Sequence, residues 1–489
     1  MSRASIILGG LASVGLTGCG VIYQVKRERP PPVQVPEQFS SATADAAEQM
    51  DTPTDQQWWR AFEDPELDAL LAEAFAGNLD LELAYGRLRA AAAVGDASWA
   101  GYLPTIEGNG SVSYSRSYFN FGRSNSVTGS SDPISVEQAQ TRIQLDLSYE
   151  VDLWGRVHNG IESVNAQLEA TAADFAAAYM TVSANVVNTW LQAIEQRATL
   201  ELLEQQKKAN ETYLELVELR FRQGIVTALD VFQQRQQVAA LDAQIPPAKL
   251  QLAVSEHQLS VLLGKPPGEV KVTRTQLPKL PDVPEVGIPA QLLAQRPDVR
   301  SAQMTMIAAD HDVGVAVASR FPTISLSGAA GFQGYDVAVG LFQNYLTNLA
   351  ANLLVPLTDQ VRLAAEEQQA RAVLDQQIAT YGSTVLTALQ EVEDALVSEA
   401  HQTELVGELE AQLEVARATM EEAQRHYANG LSDYLPVLTA LQTLQSTEQT
   451  LLSARRQVLS YRVELCRALG GSWMTELAPP TATSTEEAS

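Results

Sequence analysis

Arg142-Ile143-Gln144-Leu145-Asp146-Leu147-Ser148-Tyr149-Glu150-Val151-Asp152-Leu153 alternates polar and apolar side chains without a break. Successive side chains of a strand point to opposite faces. Ile143, Leu145, Leu147, Tyr149, Val151 and Leu153 therefore share one face, and Arg142, Gln144, Asp146, Ser148, Glu150 and Asp152 the other. A tilted strand of about this length crosses the hydrocarbon core of a bilayer. With one face apolar and the other charged, such a strand divides lipid from water.

Three weaker stretches have the same period. Thr105 to Tyr118 puts Ile106, Val112, Tyr114 and Tyr118 against Glu107, Asn109 and a row of serines. Thr323 to Phe332 sets Ile324, Leu326 and Phe332 against Thr323, Ser325 and Ser327, and Asn348 to Leu357 sets Leu349, Leu353, Val355 and Leu357 against Asn348 and Asn352. These stretches belong to a long duplication. Leu103-Pro104-Thr105-Ile106 returns as Phe321-Pro322-Thr323-Ile324, and Gly224 and Gly264 return, 206 residues on, as Gly430 and Gly470. A unit of about 200 residues is far too long for a solenoid repeat, so each half is a complete module that supplies one hairpin. The first hairpin's loop, roughly Phe119 to Ala139, is rich in Ser, Gly and Asn and suits the outside of the cell.

The remainder reads as helix. From Ile161 to Gln223 there is neither Gly nor Pro, and Ala166, Ala170, Ala173, Ala177, Met180, Ala184, Val187, Leu191, Ile194 and Ala198 recur at spacings of four and three. That is a narrow seam for close helix packing. At about 1.5 Å per residue the run reaches roughly 95 Å, and Val361 to Asn429 is similar. Each long helix is expected to end at a Gly turn, Gly224 or Gly430, and to be followed by a returning helix. A kink or break is expected at Pro246-Pro247 in the first of these.

Of the 489 residues, 33 are Lys or Arg and 59 are Asp or Glu, a formal net charge of −26 that argues against nucleic-acid binding. The chain opens with Arg3, an apolar run from Ile6 to Leu16, then Leu16-Thr17-Gly18-Cys19. This is the pattern of a bacterial lipoprotein signal, with Cys19 as the lipidated mature amino terminus. Gly20 at the next position favours the outer membrane. Cys466 is the only other cysteine, so with Cys19 acylated no intramolecular disulfide forms, and Cys466 reads as a small helix-packing residue. Pro30-Pro31-Pro32 opens an extended linker, and the Pro, Thr, Ser and Glu of residues 478–489 read as disordered. Past the signal no uncharged apolar run is long enough for a membrane helix.

Four strands cannot close a barrel, and an open edge in lipid leaves backbone donors unpaired at several kcal/mol each. Closure is expected from other copies of the chain. Two copies give eight strands and three give twelve, of which only the larger leaves a wide aqueous lumen.

These elements resemble the TolC-like outer membrane factors, in their lipoprotein branch with OprM and NodT. The motifs are WWRAFEDPELDALL (58–71), NLDLELAYGRLRAA (78–91), SYEVDLWGRV (148–157), RFRQGIVTALDVFQQR (220–235), LSVLLGKPPG (259–268), GIPAQLLAQRPDVRSAQ (287–303), RFPTISLSG (320–328) and LCRALGGSW (465–473). The resemblance implies a mostly α membrane protein of the α+β class, a homotrimer whose 12-stranded β-barrel is continuous with a long periplasmic α-helical barrel. It implies residues 1–18 as signal peptide, 19–57 as lipidated amino terminus and linker, 58–285 and 286–474 as two outer membrane efflux repeats, and 475–489 as a disordered tail. It also implies docking to a periplasmic adaptor and an inner-membrane, proton-driven pump. The two periplasmic tips would be Gly224, Ile225, Val226, Thr227, Ala228, Leu229 and Asp230, and Gly430, Leu431, Ser432, Asp433, Tyr434 and Leu435. The family places a pore-narrowing acid just past the second glycine, where this chain has Pro436 and Thr439, so Asp433 or Asp230 is expected to substitute. Pro356-Leu357-Thr358-Asp359-Gln360 departs from the family's usual aromatic and glycine at the start of the second long helix.

Nothing in the sequence points to catalysis or to a cofactor. His158, His257, His311, His401 and His426 have no metal-ligand spacing, and the glycines from Gly328 to Gly334 fit close strand packing better than phosphate binding. The expected function is a passive exit duct of a tripartite efflux system for small toxic compounds. The alternatives are an export duct for a protein or oligosaccharide, and a non-conducting lipoprotein that bridges envelope layers.

Overall fold

The computed structural model describes residues 23–25, 30–36, 38–40, 57–119, 134–284, 289, 295–335 and 344–470. Cys19, the signal peptide, the tip of the first hairpin and the carboxy-terminal tail lie outside the described residues. The chain divides into two compact units, each assembled from three separate segments.

One unit, Met1–Pro30, Ala90–Glu169 and Met304–Ala379, holds the sheet. Strands β1 (Thr105–Phe119), β2 (Ile134–Val151), β3 (Thr323–Gly334) and β4 (Asn344–Leu354) form one antiparallel sheet in sequence order. The register keeps the two faces apart along its whole width. Ile106 pairs with Leu147, Tyr149 with Leu326, and Ile324 with Leu353, whereas Glu107 pairs with Asp146, Ser148 with Ser327, and Ser325 with Asn352. Ile106, Val112, Leu145, Leu349 and Leu353 are all exposed, so among the described residues nothing covers the apolar face.

Strand boundaries differ from the sequence reading by one or two residues at the ends of β1, β2 and β3, and by more at the start of β2 and in β4. β2 starts at Ile134 rather than Arg142, because backbone pairing from Val112–Thr141 out to Phe119–Ile134 does not need an apolar face. β4 runs from Asn344 to Leu354 rather than from Asn348 to Leu357, since Pro356 has no N–H to extend the ladder and restricts the residue before it. Gly331 does sit at a close approach. A Cβ there would lie 2.2 Å from the Ile143 carbonyl oxygen on β2.

The helices are α1 (Pro65–Gly77), α2 (Leu79–Ser98), α3 (Arg156–Arg222), α4 (Ala228–Leu262), α5 (Pro297–Ala318), α6 (Gln360–Ala428) and α7 (Leu435–Leu469). The duplication is visible in their lengths: α3 and α6 have 67 and 69 residues, and α4 and α7 have 35 each. Of the kink or break expected at Pro246-Pro247, the break does not occur, and α4 passes through both prolines. Proline withholds a donor from the carbonyl four residues back. Those carbonyls belong to Asp242 and Ala243, which are exposed, so water can satisfy them.

The second unit, Pro31–Arg89, Ala170–Gln303 and Thr380–Ser489, carries the main core. The alanine and leucine seam of α3 is buried there at Ala170, Ala173, Ala184, Val187, Leu191 and Ile194. Trp58, Trp59, Phe62, Leu67 and Leu71 pack on Tyr179 and Trp190 of α3, with Leu259 of α4 and Val463 of α7. Polar groups fix this packing. Asp64 caps α1 by accepting from the Glu66 and Leu67 N–H groups at 2.9 and 3.2 Å, and it pairs with Arg274. Cys466 packs against the same core, and burial pushes its thiol up to about 12, which disfavours the thiolate.

Candidate functional site

Two helix turns of identical construction lie in the second unit. Gly224 adopts φ 73°, its N–H donates to the Phe221 carbonyl at 2.9 Å, and the Ile225 N–H donates to the Arg220 carbonyl at 3.0 Å. Gly430 repeats this with φ 72°, donating to Tyr427 at 3.2 Å while Leu431 donates to His426 at 2.9 Å. Both are Schellman terminations, in which a left-handed residue satisfies the last carbonyls of a helix. A Cβ on either glycine would meet no atom within 4 Å, so backbone conformation and not space selects glycine here.

The helices that follow begin differently. Thr227 caps α4 in a reciprocal box: its hydroxyl accepts from the Asp230 N–H at 3.4 Å, and Asp230 Oδ2 accepts from the Thr227 N–H at 2.8 Å. The carboxylate of Asp230 is thus engaged in its own turn. α7 has Tyr434 at its cap with no side-chain capping bond, and Pro436 in its first turn.

Tyr434 instead faces inward. Its hydroxyl donates to Gln234 Oε1 at 2.6 Å, and Gln234 Nε2 donates to the Asn210 carbonyl at 2.8 Å. Asn210 Nδ2 continues the chain to the Gln206 carbonyl at 2.7 Å. Tyr434 is 2% exposed and Gln234 and Asn210 are 0% exposed, so this path is sealed from water. Burial, with the neighbouring Tyr427, Tyr213 and Asp230, raises the Tyr434 hydroxyl above its ordinary value and keeps it a donor. The Tyr434 ring lies 5.3 Å from that of Tyr427, over which Arg220 stands at 4.3 Å while donating to the Tyr427 carbonyl at 3.2 Å. The α3–α4 and α6–α7 hairpins therefore share one core of Val217, Val231, Met420, Tyr427, Tyr434, Val437 and Leu438.

Of the residues expected at the tips, Ile225, Leu229, Leu431 and Leu435 project as exposed apolar side chains. Phe221 and Phe232 beside them are also exposed. Asp433 is exposed, Ser432 is half-buried, and Val226 packs against the shared core. Arg220, Tyr427, Gln234 and Asn210 were not singled out from sequence. A polar residue such as Gln234 on an otherwise apolar helix stripe is the one signal that could have found them.

The polar face of the sheet forms a second candidate surface. Asn109 Nδ2 and Gln144 Nε2 donate to the two carboxylate oxygens of Asp146 at 2.6 and 2.7 Å, and Glu107 stands in the paired position. Among the described residues no cluster of three His, Cys, Asp or Glu side chains could hold a metal ion.

A family model described as outer membrane efflux protein matches residues 70–265 and again 288–471. The pyoverdine export outer membrane protein OpmQ of Pseudomonas aeruginosa is 32% identical over 441 residues, covering 88% of this chain and 90% of that protein. The solvent efflux pump outer membrane protein SrpC of Pseudomonas putida is 31% identical over 419 residues, covering 84% and 86%. Among solved structures, the outer-membrane channel OprN superposes with a TM-score of 0.83 at 27% identity, covering 91% of this chain and 99% of that one.

Proposed function

The chain belongs to the outer membrane efflux protein family, and from that premise we propose that three copies assemble into a passive duct across the outer membrane. It is the outer membrane channel component of an efflux system. The observation that carries the assembly is the four-stranded sheet: one face apolar and exposed, the other polar, with β1 and β4 as its edges. In lipid those edges must be paired, and β4 of one copy against β1 of the next does so. Twelve strands enclose water, with Glu107, Asp146 and Asn352 toward the lumen, while the paired long helices of the copies line the periplasmic passage.

An adaptor docks on the two tips, and an inner-membrane pump supplies the energy. Ile225, Leu229, Leu431 and Leu435 support this reading, because exposed apolar groups clustered at helix turns suit a protein partner. Cys19 carries lipid and holds the chain at the outer membrane. A water-filled passage makes few selective contacts, in keeping with relatives named for cargoes as unlike as pyoverdine and solvents. Small toxic compounds delivered by the pump are the substrates. Native mass spectrometry of detergent-extracted protein tests the assembly: three copies are expected, and a stable monomer or dimer would refute it.

A further inference from the structure

The amino-terminal segment, which the sequence suggests is simply an extended linker, meets the body of the chain at three points, the first shared by α5 and α6 and the other two on α6. Tyr23 donates its hydroxyl to Asp310 Oδ1 at 2.6 Å, and the Arg371 guanidinium lies 6.0 Å from its ring centre. Pro32 and Val33 lie against Gly382, where a Cβ would come within 2.8 Å of Pro32 Cγ and 3.6 Å of Val33 Cγ1. Phe39 is buried, and the Ser40 N–H and hydroxyl both donate to Glu393 Oε1 at 2.6 and 2.9 Å. Residues 371, 382 and 393 are spaced by three helical turns, so the contacts fall on one face of α6. Gly382 is not among the glycines of positive φ and ends no helix, and glycine within a helix is unfavourable relative to alanine. What its missing side chain admits is Pro32.

We infer that the segment is a strap that shortens the tether between lipid anchor and channel. This rests on the lipoprotein reading of Cys19. From Cys19 to Tyr23 the chain spans four residues, a reach of about 14 Å when extended. With the strap released, the first buried residue after it among the described residues is Trp58, 39 residues from Cys19 and up to about 130 Å away. Effective concentration falls as roughly the three-halves power of tether length, so release lowers the local concentration of chain at the membrane about 30-fold. The strap thus keeps the strand-bearing part of a newly exported chain near the bilayer it must enter. The step it accelerates is insertion and assembly, and the finished channel does not depend on it.

The test compares full-length chains exported with the natural signal. Gly382→Leu, made throughout together with Tyr23→Ala, displaces Pro32 and removes the bond to Asp310, and Glu393→Gln weakens the hold on Ser40. Inserting 35 Gly and Ser residues after Gly20 lengthens the tether while leaving the strap docked. Pulse–chase formation of the detergent-resistant oligomer is expected to slow by about 10- to 30-fold in both Gly382→Leu and the insertion. Slowing in Gly382→Leu alone would make the segment a brace for α6 and overturn the inference, as would no slowing in either. Hydrogen exchange at the Ser40 amide is expected to be slow in wild type and in the insertion and fast in Gly382→Leu. Fast exchange in wild type would show no strap. Mass spectrometry of the mature amino terminus separates the two readings: an unacylated Cys19 with a protected Ser40 amide would sink the lipoprotein reading and leave the docked segment intact.

Discussion

Tyr434→Phe removes a single oxygen atom from the core shared by the two hairpins. Gln234 Oε1 accepts from that hydroxyl at 2.6 Å and sits on a side chain with no exposure to water. Losing the donor leaves a buried acceptor unpaired, at a cost of about 1–3 kcal/mol per chain. The contact joins α7 to α4, so any opening that separates the hairpins breaks it in wild type and has nothing to break in the variant. A factor of ten for each 1.4 kcal/mol then gives an open population raised about 5- to 150-fold. The assay is single-channel recording of the purified protein in a planar bilayer, comparing the fraction of time spent in the larger conductance. Thr450→Val on the exposed face of the same helix, away from the tips, is the control, because its hydroxyl bonds to the Ser446 carbonyl one turn back. Equal open fractions in Tyr434→Phe and wild type would refute the idea that this buried path holds the hairpins together.

Replacing Gly224 or Gly430 with Ala is expected to cost about 1–2 kcal/mol through left-handed backbone strain, lowering the thermal midpoint without altering assembly. In the sheet, Gly331→Ala is expected to abolish the detergent-resistant oligomer on a semi-native gel. Gly110→Ala, whose Cβ would meet nothing within 4 Å, leaves it intact. Glu399→Gln uncouples the buried Arg462 from its partner and is expected to destabilise the helical unit by about 3–5 kcal/mol in denaturant unfolding. For Asp298, burial opposes ionisation but the Arg296 guanidinium outweighs it and holds the carboxyl below its ordinary value. Its contribution is therefore present above the ordinary carboxylate range and lost as pH falls through the lowered value, so Asp298→Asn should flatten acid unfolding below about pH 4.

The elements whose information is local were legible in the sequence. Alternation fixed both faces of β2 because a strand's period belongs to the chain itself. The α3 seam was legible for the same reason, and Gly224 and Gly430 marked their turns because a left-handed residue needs glycine. The start of β2 was missed because pairing with β1 carries Gln138 and Gln140 into the ladder regardless of their side chains. No break occurs at Pro246-Pro247, because exposed carbonyls tolerate a lost donor. The contact of Tyr434 with Gln234 joins residues 200 apart in sequence, and only the packing of one hairpin on the other brings them together. The docking of Pro32 on Gly382 is hidden for the same reason: a glycine within a helix does not announce what crosses it.

The fold and its edges lead to one physical claim, that copies of this chain enclose a continuous aqueous path. Planar-bilayer recording of the purified wild-type oligomer tests it most directly. Such a path gives discrete current steps of uniform size that persist without any energy source. Protein verified as inserted, yet leaving the current at the level of the bare bilayer, would contradict it.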